Sequence, residues 1–76
     1  MIRIAILGAT GSIGRSALEI VRRHPQRFQV MALTAHGRAD DLAEQVAEFK
    51  PAVAVLVEPG AAAWPPSGSG PTRWLR

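Results

Sequence analysis

No cysteine occurs among the 76 residues, so neither a disulfide nor a thiolate metal site is there to stiffen the chain. That absence suits a reducing cytoplasm, the expected location. A domain this short buries only about 60% of the surface that its unfolded form exposes, so its core is marginal. Long apolar runs are missing as well. Met1–Leu7 is apolar apart from Arg3 but breaks at Gly8, too short for a signal-peptide core or a membrane span, and no membrane partner is expected. Blocks of one charge are missing too. The net charge is +3, yet seven Lys and Arg face five Asp and Glu up to Val57, and two face one beyond it. Arg22-Arg23 is the only adjacent basic pair, and cations near the end of a helix complement its dipole. No aromatics are interleaved with the cations, so nucleic acid is not an expected partner.

What is there is an alternation of apolar strands and amphipathic helices. Arg3–Leu7 predicts a short strand, apolar enough to be buried on both faces. From Ser12 to about Arg23, Ile13, Ala17, Ile20 and Val21 recur at the spacing of one helical face. His24-Pro25 closes that helix, with His24 as its cap. Phe28–Leu33 predicts a second strand. Asp41, with Glu44 three residues later, resembles a capping box. It opens a second helix whose buried stripe is Leu42, Val46 and Phe49, supported by Ala43 and Ala47. Pro51 ends it, and Ala52–Val57 predicts a third buried strand. The order β-α-β-α-β is the mononucleotide-binding half of a doubly wound α/β fold. Residues 1–57 are therefore expected to form a partial Rossmann domain, with three parallel strands and right-handed crossovers. Residues 58–76 hold four of the six prolines and three of the seven glycines without helical or strand period, and are expected to be a disordered tail.

Between the first strand and the first helix lies Gly8-Ala9-Thr10-Gly11-Ser12-Ile13-Gly14, spaced G-x-x-G-x-x-G instead of the commoner G-x-G-x-x-G. Gly8 suits a tight exit from the strand, Gly11 a close approach of pyrophosphate, and Gly14 close packing of the helix. Free amides around Gly11 to Ile13, at the positive end of the helix dipole, favour an anion there. The hydroxyls of Thr10 and Ser12 add donors. A plain tight turn with Ser12 as N-cap is the blander reading, and the coincidence of three glycines and two hydroxyls at this junction weighs against it. After the second strand, where NAD-binding domains place a carboxylate for the ribose 2′-hydroxyl, the chain reads Leu33-Thr34-Ala35-His36-Gly37-Arg38. Arg38 offers a charge-assisted contact to a 2′-phosphate, against the alternative of a solvated loop arginine. His36 offers adenine stacking or a phosphate contact, or faces solvent. NADP is preferred over NAD, and no catalytic residue or metal ligand is assigned.

Ile6-Leu7 with the glycine turn, then Ser16, Leu18, Val21, Pro25, Phe28, Val30, Ala32-Leu33, Ala35, Leu42-Ala43-Glu44-Gln45 and Phe49-Lys50-Pro51, resembles the N-terminus of the 1-deoxy-D-xylulose 5-phosphate reductoisomerases. The resemblance spans roughly residues 1–57. It implies an NADPH-dependent oxidoreductase of non-mevalonate isoprenoid biosynthesis, which forms 2-C-methyl-D-erythritol 4-phosphate with a divalent metal, Mg or Mn. It also implies a phosphorylated sugar substrate and a homodimer for the full-length enzyme. In that family the positions matching Thr10, Gly11, Ser12 and Ile13 contact NADPH, as do those matching His36, Gly37 and Arg38. The family usually carries a basic residue followed by asparagine where this chain has Gly37-Arg38. Its metal ligands and catalytic domain have no counterpart in these 76 residues, so the chain alone is expected to be inactive. The change of character at residue 58 leads us to expect a truncation or a frame change. The alternatives are an aspartate-semialdehyde-dehydrogenase-type NADP domain, which opens with a similar Gly-Ala-Thr-Gly turn, or a non-catalytic nucleotide-binding or truncated product.

Overall fold

The computed structural model describes residues 1–58 and 72–75. Its elements run β1 (Ile2–Ile6), α1 (Ser12–Arg23), β2 (Phe28–Ala35), α2 (Ala39–Phe49), β3 (Val53–Leu56) and β4 (Arg73–Leu75). The strands form one parallel sheet in the order β1-β2-β3-β4. Two successive right-handed crossovers in one direction put both helices on one face. Ion pairs from Arg15 to Asp41 at 2.8 Å and from Arg22 to Glu48 accordingly tie α1 to α2 side by side. The Arg22 guanidinium holds the Glu48 carboxyl below the usual range and also lies over the Phe49 ring. Arg22 therefore does more than complement the helix dipole.

The core is Ile6, Leu18, Val21, Val30, Leu33, Ala35, Leu42, Val46, Ala54 and Leu56 around Ala9. Two expectations change here. The buried face of α1 is Gly14, Leu18 and Val21, whereas Ile13 and Ile20 are exposed. The reason is steric. A Cβ on Gly14 would lie 2.3 Å from Gly8 O and 2.7 Å from Ala9 Cα, so the helix meets the turn after β1 backbone to backbone. That contact sets the helix rotation, and residues four and seven positions on then face the sheet. The second change concerns β1, which is an edge strand among the described residues. Only Ile6 in it is buried, and Leu7 just beyond it is 77% exposed.

In β2 the register slips between Ile4 and Ala5 of β1, which pair with Val30 and Ala32 and leave Met31 as an extra residue. The buried positions consequently shift phase, from Val30 to Leu33 and Ala35. α2 begins at Ala39, earlier than Asp41, and its N-cap is Arg38 with no side-chain cap bond, so the capping box does not form. Asp40 and Asp41 instead place negative charge in the first turn. His24 is the C-cap of α1, its amide donating to Val21 O.

The sheet does not stop at three strands. Arg73, Trp74 and Leu75 pair in parallel with Val53, Ala54 and Val55, and Trp74 packs against the core. Thr72 is buried, and its hydroxyl donates to Pro51 O at 2.7 Å. This corrects the expectation for the end of the tail, while Trp64 and the remaining tail positions lie outside the described residues. No helix among the described residues is long and apolar enough to cross a membrane.

Gly14→Ala should cost about 1–3 kcal/mol, because the methyl meets backbone that cannot turn aside. Gly37→Ala, whose Cβ would come no nearer than 3.9 Å to Glu58 O, should stay within about 0.5 kcal/mol. Urea unfolding of the two variants checks the contrast.

Candidate functional site

The glycine turn is held by hydrogen bonds from three directions. Gly8 adopts φ +70°, a left-handed conformation that a side chain would strain. Its amide donates to Thr34 Oγ1 at 3.3 Å, and the Ala9 amide donates to Thr34 O at 2.8 Å. Gly11 N donates back to Gly8 O at 3.0 Å, closing the turn. From α2, Gln45 Nε2 donates to Ala9 O at 2.9 Å, and from α1, Arg15 Nε donates to Thr10 O at 3.0 Å. The first intrahelical bond is Arg15 N to Gly11 O, so the amides of Ser12, Ile13 and Gly14 precede the helical ladder. The Gly11 amide, expected to be free, is engaged; the Thr10 amide has no partner among the described residues.

The second half of the site follows β2. Parallel pairing sets the ends of β1, β2 and β3 side by side, so what leaves β2 faces what leaves β1. Gly8, Thr10, Gly11, His36, Gly37 and Arg38 line one cleft of about 440 Å³. Six of the nine residues expected from sequence thus meet. The others begin α1. Ser12 and Ile13 are exposed, and Gly14 is buried in the contact with Gly8. Ser12 is not the N-cap, which is Gly11. Thr10 is buried even though it lines the cleft.

Arg38 makes no ion pair among the described residues, and it sits in the left-handed region with φ 61° and ψ 58° at the start of α2. Such a conformation is uncommon for a residue with a side chain. His36 Nε2 lies 3.4 Å from Glu58 Oε2, with both side chains largely exposed, an ion pair only when the imidazole is protonated. The Glu58 amide also donates to His36 O at 2.7 Å.

Four contributors were missed in sequence: Thr34, Arg15, Gln45 and Glu58. Glu58 was legible in principle, since the residue leaving β3 neighbours the residue leaving β2 in a parallel sheet. Arg15 and Gln45 had no signal, because polar positions on a helix read as solvent-facing. Among the described residues no three His, Cys, Asp or Glu side chains gather as metal ligands.

A family profile described as 1-deoxy-D-xylulose 5-phosphate reductoisomerase matches residues 4–65. The chain is 55% identical over 62 residues to the 1-deoxy-D-xylulose 5-phosphate reductoisomerase of Ralstonia pickettii (strain 12J), covering 82% of this chain and 16% of that one. It is 61% identical over 56 residues to the Cupriavidus metallidurans enzyme of the same name, covering 74% of this chain and 14% of the relative. Among solved structures, a DOX-P reductoisomerase in complex with NADPH, fosmidomycin and magnesium is similar with a TM-score of 0.72 at 46% identity, over 74% of this chain and 14% of the other. The Zymomonas mobilis reductoisomerase in complex with NADPH matches with a TM-score of 0.81 at 30% identity, over 97% of this chain and 20% of the other. The chain therefore spans about one sixth of the length of the curated relatives it matches.

Proposed function

The chain belongs to the 1-deoxy-D-xylulose 5-phosphate reductoisomerase family, and from that premise we propose that residues 1–57 are the opening segment of its NADPH-binding domain. The pyrophosphate is assigned to the turn Gly8–Gly14, with the amides of Thr10, Ser12 and Ile13 as donors at the positive end of α1. The 2′-phosphate is assigned to the segment His36, Gly37 and Arg38. One observation carries this reading. Two segments far apart in sequence, each expected to hold one end of the same ligand, line a single cleft.

Charge refines the assignment. The Glu58 carboxylate beside His36 opposes a dianionic phosphate at that imidazole. Arg38, with no acidic partner among the described residues, is left as the cation for the 2′-phosphate. A second phosphate-recognising arginine is not needed, since one fork makes two parallel bonds. Bound NADPH supplies a hydride, and the work of this chain is to bind and orient it.

The complete activity belongs to a longer architecture: conversion of 1-deoxy-D-xylulose 5-phosphate to 2-C-methyl-D-erythritol 4-phosphate, with the phosphorylated sugar and a divalent metal held elsewhere. We infer a cytoplasmic setting for it. The aspartate-semialdehyde dehydrogenase alternative has no support among the relatives described above.

Three measurements test this. Arg38→Ala should weaken NADPH binding by about 1–3 kcal/mol and leave NADH nearly unchanged in a titration of the 76-residue chain; equal loss for both cofactors would contradict the 2′-phosphate assignment. Gly11→Asp should abolish binding of both, because its carboxylate enters the phosphate position, while the far-UV spectrum of the fold is retained. Retained affinity would remove the turn from the site. The unaltered chain, given NADPH and Mg, should show no conversion of the sugar phosphate above a no-protein control, since hydride transfer needs the substrate held against the nicotinamide.

A further inference from the structure

We propose that Gln45 and Arg15 are positioning residues that brace the glycine turn against α2 and so aim the Thr10 amide into the cleft. The proposal rests on reading that cleft as a dinucleotide phosphate site. From Gly8 to Gly11 the backbone has eight polar groups, and seven have partners. The amides of Gly8 and Ala9 are taken by Thr34, Gly11 N by Gly8 O, and Gly11 O by Arg15 N. The two carbonyls left, of Ala9 and Thr10, are held only by side chains, those of Gln45 and Arg15. The eighth group is the Thr10 N–H.

In a trans peptide the C=O and the N–H point in opposite directions. The Ala9 carbonyl shares its peptide plane with the Thr10 amide. Once Gln45 on α2 draws that carbonyl toward the helix, the Thr10 amide must face the other way. Arg15 fixes the next plane. Its Nε holds Thr10 O at 3.0 Å while its NH2 holds Asp41 Oδ2 at 2.8 Å, so one planar guanidinium joins the turn to the first turn of α2. α2 thereby touches both halves of the cleft. Its N-cap is Arg38 and it reaches the glycine turn through Asp41 and Gln45, so a single rigid element sets the spacing between the two phosphate positions.

Stability does not account for a glutamine at this place. Gln45 Oε1 is buried with no hydrogen-bond partner, a penalty that an apolar side chain of similar length would avoid. Its one bond, to a loop carbonyl, is directional. A glutamine with a buried orphan oxygen at this place is better explained by what its amide group aims.

The test is Gln45→Met, which keeps the length, removes the donor and removes the orphan oxygen. Unfolding of the 76-residue chain should be little changed, whereas affinity for NADPH and NADH should fall together by about tenfold, because the pyrophosphate is common to both. Arg15→Lys, which keeps the charge near Asp41 without the second fixed donor, should lower both affinities in the same way. Unchanged affinity in these variants would overturn the proposal, and so would affinity and stability falling in step. Amide hydrogen exchange in the unliganded chain separates the brace from the cofactor reading. Gln45→Met should speed exchange at Ala9 and Gly11 and leave Leu33 and Leu56 as they were; unaltered exchange at Ala9 and Gly11 would again overturn it. If the unaltered chain binds neither dinucleotide while that exchange effect appears, the cofactor reading fails and the brace stands.

Discussion

At Gly14 the backbone of α1 comes so near the turn after β1 that a side chain would collide with Gly8 O and Ala9 Cα. Much else follows from this contact. It fixes the rotation of α1, which turns Leu18 and Val21 onto the sheet and leaves Ile13 and Ile20 outside. It also brings the first free amides of the helix up against the glycine turn, so the positive end of the dipole and the open face of the turn share one space. A larger residue at position 14 would move the helix outward and separate those two sources of positive potential.

The second level of organisation is the pairing of β1 with β2. Thr34 bonds the Gly8 and Ala9 amides, so the strand that delivers His36–Arg38 also anchors the exit from β1. Both halves of the cleft therefore hang on one strand and one helix, β2 and α2. Among the described residues, the β1 edge lies on the side away from this arrangement, and both helices lie on one face of the sheet. The apolar residues left outside, Ile2, Leu7, Ile13 and Ile20, fit a segment that makes up about one sixth of its relatives' length.

Element types and order up to residue 58 were legible because each strand is apolar and each helix is punctuated: Gly8 and Gly11 before α1, Pro25 and Pro51 after the helices. Six of the nine expected site residues meet because their positions after β1 and β2 are dictated by parallel topology alone. What was not legible has specific causes. The phase of α1 depends on a contact between Gly14 and a turn, which hydrophobic spacing does not encode. The slip at Met31 breaks the period of two that reads a strand's faces. β4 has three residues, too few to show any period, and Trp74 between Arg73 and Leu75 gives no strand pattern. Arg38 as N-cap in a left-handed conformation displaced the helix start that Asp41 and Glu44 advertised. The polar braces Arg15 and Gln45 look in sequence like any solvent-facing helix positions.

The central claim is that one dinucleotide lies across the ends of β1 and β2 in the orientation given. The most direct measurement is a titration of isotopically labelled chain with NADPH, following every backbone amide by NMR. The claim predicts that shifts concentrate at Thr10, Ser12 and Ile13 and at His36, Gly37 and Arg38, with NADH reproducing the first group and losing the second. Shifts centred on the charged groove between α1 and α2, around Glu19, Arg22 and Glu44, with the glycine turn unmoved, would contradict it.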